Sequence, residues 1–134
     1  MVDNRLLYQE TFLKKLEQFG IVYKVTKQGV CFQWSKQMPW PLNYTVCFWE
    51  NRVNVCAWGM GKVSAEQLGA GYKMCSEFNC AVNWAKLFLD KHNELLCMID
   101  TVLNPDDAVE EIRELLVRMD AALAEKQALW QSVT

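Results

Sequence analysis

Residues 43–60 read NYTVCFWENRVNVCAWGM, two runs rich in β-branched and aromatic residues, 43–49 and 52–60, joined at Glu50-Asn51. Such runs flanking a short polar break predict a β-hairpin. Successive side chains of a strand point to opposite faces. Tyr44, Val46, Phe48, Val53 and Val55 therefore share one face, and Thr45, Cys47, Trp49, Asn54, Cys56, Trp58 and Met60 share the other. The first set is a core face. The second is half apolar and calls for cover, by a helix of the same chain, by a second subunit or by a bound peptide, because exposed apolar patches drive association.

Upstream, residues 21–27 and 30–36 form a further predicted hairpin about Gln28-Gly29, and Val30, Phe32 and Trp34 extend the core face while Cys31 and Gln33 extend the other. Pro39 and Pro41 remove backbone donors, so residues 37–42 form a loop. Over residues 3–19, Tyr8, Phe12, Leu16 and Phe19 recur at helical spacing, with Gly20 as the stop.

Downstream, Ser64-Ala65-Glu66-Gln67 has the pattern of a capping box and predicts the start of a second helix with Leu68, Tyr72, Cys75, Asn79 and Val82 on its buried stripe. Asn79 is the polar misfit of that stripe. Its amide needs partners, so it serves either as a structural anchor for a neighbouring strand or loop or as a ligand contact. Gly69 and Gly71 weaken a helix and point to close packing. A third hairpin follows, 85–91 and 94–103, turning at His92-Asn93; its second strand is apolar on both faces, as for an interior strand covered on both sides. Asn104-Pro105-Asp106-Asp107 is a helix start, and Val109, Ile112, Leu116, Met119, Leu123 and Trp130 carry one helix to about Ser132. At 1.5 Å per residue that helix is about 40 Å long and should overhang the sheet or meet a partner.

The order is thus helix, four strands, helix, two strands, helix, with a largely antiparallel twisted sheet, class α+β. The 134 residues, 51% of them hydrophobic, suit one domain over 1–134.

Charge and chemistry narrow the function. A net charge of −2 gives no bulk attraction to nucleic acid, and stacking of bases on Trp49 and Trp58 lacks a basic groove. Residues 1–62 hold 8 basic and 4 acidic side chains and residues 63–134 hold 6 and 12, which fits either two solvated surfaces or a basic half meeting an acidic half across a self-association interface. No apolar run is long enough for a membrane helix. The charged N-terminal segment lacks a signal-peptide core, so a cytoplasmic location is expected, with the 6 Cys reduced and used as small hydrophobes. No CxxC or CxxH pair offers a metal site, and no metal or cofactor is expected. The single His, His92, sits in a predicted turn beside Asn93, and every candidate Cys lies on a strand or a buried helical stripe, where thiols are usually inert. Gly59-Met60-Gly61-Lys62 lacks the spacing and the Lys-Ser/Thr ending of a phosphate loop. Asp106, Asp107, Glu110, Glu111 and Glu114 read as helix capping and a solvated face. No catalytic residue emerges.

Asn79, the strand Lys86-Leu87-Phe88-Leu89-Asp90, the strand Glu94 to Leu103 ending in Asp100-Thr101-Val102-Leu103, and the acidic amphipathic helix Asp106 to Trp130 together resemble the YbjN-like family of small bacterial proteins. The resemblance covers most of the chain in architecture and specific residues over about 79–130. It implies the type III secretion chaperone-like fold, which commonly dimerises, and a role as a regulator without catalytic residues; chaperones of that fold hold extended client segments in apolar grooves and at strand edges. The expectation is a non-catalytic protein-binding or regulatory module acting as a homodimer, with a client or regulatory protein as partner and no nucleic acid or membrane. The alternatives are a secretion chaperone for one client and a small thiol-dependent enzyme or sensor. Trp49, Trp58, Met60 and Trp130 are the candidate interface or client-binding residues.

Overall fold

The computed structural model describes residues 5–104 and 106–134. Helix α1 (Arg5–Gln18) buries Tyr8, Phe12 and Leu16. It ends where Gly20 turns to φ 70° and the Ile21 N–H donates to the Leu16 carbonyl at 2.9 Å, the six-to-one bond of a Schellman stop. Phe19, placed by its spacing on the buried stripe, instead lies beyond the last turn and is 61% exposed.

Strands β1 (Tyr23–Thr26), β2 (Gly29–Trp34), β3 (Leu42–Phe48) and β4 (Arg52–Trp58) follow, then helix α2 (Leu68–Ala81), strands β5 (Lys86–Leu89) and β6 (Leu95–Val102), and helices α3 (Ala108–Glu125) and α4 (Gln127–Gln131). The six strands form one antiparallel sheet in the order β1-β2-β3-β4-β6-β5, so β6 slots between β4 and the edge strand β5. Strand β3 alternates without exception, with Leu42, Tyr44, Val46 and Phe48 buried and the residues between them half-buried. The buried residues of that face join those of α1, α2 and α3 in one core, where Phe12 packs against Phe32 and Phe48 at ring separations of 5.9 and 5.8 Å. Strand β6 is interior as expected, but only its Leu95 and Cys97 face is buried; Leu96 and Met98 are half-buried. None of the described helices is long and apolar enough to cross a membrane.

Three helix expectations change. Ser64 makes no side-chain cap; residues Ala65–Gln67 form a 3-10 turn held by the Gln67 N–H to the Ser64 carbonyl at 3.0 Å, and α2 begins only at Leu68. The buried stripe of α2 is Gly71, Met74, Cys75 and Phe78, and Tyr72 faces out. Gly71 fits that rotation: a Cβ there would come within 3.0 Å of a Val63 methyl, which would have to shift. At the third helix, Asn104 caps the loop rather than the helix. Its Oδ1 accepts from the Asp106 N–H at 3.1 Å, and its own N–H donates to Glu111 Oε2 at 3.0 Å. Pro105, read as the first helical position, lies outside the described residues.

The single long last helix is also corrected. It breaks at Lys126 and α4 turns back onto α2. The indole of Trp130 donates to the Leu123 carbonyl at 2.8 Å, an acceptor near the end of α3, and the ring stands edge-on to Trp40 at 6.4 Å. The break thus buries the indole with its N–H satisfied.

Asn79 joins α2 to β5. Its Oδ1 accepts from the Leu87 N–H at 2.7 Å and its Nδ2 donates to the Leu87 carbonyl at 3.0 Å. This amide thus supplies the Leu87 backbone with the two hydrogen bonds that a further strand would make. Asn79→Ala strands both groups, and we expect a loss of about 2 kcal/mol in urea unfolding, against less than about 0.5 kcal/mol for Tyr72→Ala on the exposed side of the same helix. Equal losses for the two variants would contradict the anchor. At the β1–β2 turn, Gly29 has φ 133° and a Cβ there would collide with the Val46 carbonyl. Gly29→Ala therefore splays β2 from β3 and should cost more than about 2 kcal/mol, read as a lowered melting temperature.

Candidate functional site: an uncovered sheet face

The helices bury one face of the sheet and leave the other uncovered among the described residues. Register places Cys31, Thr45, Cys56, Met98 and Lys86 side by side across five strands of that open face. Cys47, Asn54 and Asp100 form the next rank on the same face. Its central side chains are small or medium and half-buried, and they form a shallow floor.

Tryptophans stand at its two ends. Trp58, 39% exposed at the end of β4, donates its indole N–H to Thr45 Oγ1 at 3.0 Å and leans over the floor. Trp49, 52% exposed, follows β3 in the opposite turn, where its backbone N–H donates to the Arg52 carbonyl at 2.9 Å. With seven residues in β4 at 3.2–3.4 Å per residue, the backbone positions of the two tryptophans lie roughly 20 Å apart, and the Trp58 indole reaches inward from its end to Thr45. Arg52 and Asp100 form an ion pair beside Trp49, and Val102 is exposed on the neighbouring strand.

The other two proposed interface residues are not on this surface. Met60 is 5% exposed and belongs to the core, because the chain leaves the alternation after Trp58 at Gly59, whose φ is 78°. Trp130 is 0% exposed, enclosed by the turn back of α4. Both are corrections to the surface expected from alternation and helix length.

Two thiols of this face, Cys47 and Cys56, are held in their protonated form. All six described cysteines are free. Burial pushes the Cys56 thiol up to about 11, and burial with the nearby Asp100 carboxylate raises Cys47. Beneath the sheet, burial drives Cys97 to about 12 and raises Cys75. Raised values keep a thiol protonated at neutral pH, whereas a reactive cysteine needs its thiolate. Cys80 departs from the expectation of six thiols used as small hydrophobes, since it lies exposed on α2. His92 sits exposed in the β5–β6 turn, where Asp90 Oδ1 accepts from the His92 and Glu94 N–H groups at 2.8 and 2.9 Å. Those backbone bonds, the Glu94 one foremost, hold the Asp90 carboxyl below the usual carboxylate range.

Two polar features escaped the sequence reading. Asp120, fully buried on α3, accepts the Gln37 N–H on Oδ2 at 2.6 Å and so ties the proline loop to the helix. Its other oxygen and the Tyr44 hydroxyl have no partner among the described residues, and the Tyr44 hydroxyl is pushed up by burial and then by the Asp120 charge. The second feature is a groove on the helical side, between α1, β2 and α3, bordered by Lys15, Lys36 and Arg113.

No family model matches the chain, and no curated protein matches it in sequence. Among solved structures, a chain of the heterodimeric ExoU–SpcU complex from the type III secretion system of Pseudomonas aeruginosa aligns over 93% of this chain and 96% of its own, with 15% identity and a TM-score of 0.48. The crystal structure of YbjN from E. coli, a candidate transcription regulator, aligns over 89% of this chain and 90% of its own, with 14% identity and a TM-score of 0.60. The helix, four strands, helix, two strands and helices described above thus make up, over nearly the whole chain, a YbjN-like α+β fold.

Proposed function

We propose that the protein is a non-catalytic protein-binding or regulatory module that works through its open sheet face and self-associates there as a homodimer. The observation that carries this reading is the pair of exposed indoles, Trp49 and Trp58, at the ends of a half-apolar floor that no described helix covers. Tryptophan offers a large contact area at a small cost in side-chain entropy and is enriched at interface centres. Small side chains between the two rings let another surface come close. The six free thiols fit a reducing cytoplasm.

Light scattering on the eluting protein should give a mass near twice 15.6 kDa. Trp58→Glu places a charge on the floor and should weaken the dimer at least about tenfold, or about 1.4 kcal/mol, with the melting temperature nearly unchanged. A strict monomer at high concentration sinks the dimer.

The thiol-dependent alternative has its own test. A bulky maleimide should label Cys80 in the native protein, while Cys75 and Cys97 wait for denaturant and Cys56 reacts slowly at pH 7 because its thiol stays protonated. Rapid native labelling of Cys47 or Cys56 at that pH would instead favour thiol chemistry.

A further inference from the structure

The groove on the helical side is separate from the open face. It is open to solvent along one side and offers about 360 Å³. Phe12, Leu16, Phe32 and Leu116, all nearly buried, form its floor, and Trp34 lines its side. Its charged groups stand at the rim. Arg113 there pairs with Glu110 at 3.6 Å and lies over the Phe19 ring at 5.7 Å. Lys15 and Lys36 have no carboxylate within ion-pair distance among the described residues. Glu17, on the same helix as Lys15, accepts the Tyr23 hydroxyl at 2.7 Å. The rim therefore carries two unmatched cations above an apolar, aromatic pocket.

We propose that this groove binds a free medium-chain carboxylate, its alkyl chain on the aromatic floor and its head at the rim that Lys15 and Lys36 border. A groove of this volume lies at the small end of ligand pockets, and an alkyl chain on the order of ten carbons suits it. Such a ligand matches the partition of the site, since its one polar group meets the rim and nothing polar enters the floor. An inserted peptide would instead bring backbone N–H and C=O groups against phenylalanine and leucine side chains, where they would lose their hydrogen bonds. The inference goes beyond the binding-module reading and does not depend on the dimer.

Calorimetric titration of the full chain, with tryptophan fluorescence in parallel, tests this with three ten-carbon probes below their micellar concentrations. Decanoate should bind saturably with one site per chain, decanol about tenfold more weakly, and decyltrimethylammonium without saturation. The double variant Lys15→Glu/Lys36→Glu should lower decanoate affinity about tenfold, leave decanol nearly unchanged and preserve the melting temperature. Val117→Trp, which fills the groove from α3, should abolish binding of both probes. Co-sedimentation with phosphatidylglycerol vesicles should be absent. The proposal is overturned by absent saturation, by equal binding of decanoate and decanol, or by decanoate binding that survives both variants. Vesicle binding without decanoate binding would equally overturn it, by assigning the cations to a lipid surface.

Discussion

Every second residue of strand β3 is buried, and this one-sided burial governs the rest of the molecule. A sheet whose strands place Tyr44, Val46, Phe48, Val53 and Val55 on one side must gather its helices there, since each helix also has a single apolar stripe to bury. Helices α1 and α3 share the middle of that face, and α2 takes its β5 end, secured by the Asn79 amide to the Leu87 backbone. The open face is the complement of this arrangement. Its half-apolar character is therefore a separate sequence property, which packing of the core does not require.

The parts legible in sequence were those in which a local period and the tertiary packing agree. The alternation of residues 30–34 and 43–55 defined both faces, and Tyr8, Phe12 and Leu16 defined the buried side of α1. Asn79 stood out because an amide on an apolar stripe must be satisfied, although spacing alone left its partner open between backbone and ligand. The failures have a common cause, in that a neighbour distant in sequence decided the outcome. Tyr72 outweighs Gly71 in any hydrophobic pattern, yet it is the glycine side of α2 that lies close against Val63 and Leu89. Lys126 is a good helix former, and the break there goes with the Trp130 indole reaching the Leu123 carbonyl and α4 packing on α2.

Of the four expected interface residues, Trp49 and Trp58 are exposed and Met60 and Trp130 are buried. Alternation predicts a face only while the strand continues; at Gly59 the backbone enters the left-handed region and the parity of Met60 is lost. The groove was beyond the reach of pattern reading, because its floor and rim come from residues 12–19, 32–36 and 109–117. Phe19 and Arg113 meet there only through the Schellman turn and the crossing of α1 over α3.

The two outer strands carry a consequence for how copies can associate. β1 and β5 are only four residues long and bear Lys24 and Lys86, with Lys27 just beyond β1. Short edges studded with ammonium groups are poor templates for continuing a sheet from one molecule into the next. Growth by lateral strand addition, the route to fibrils, is thus resisted at both margins of the sheet.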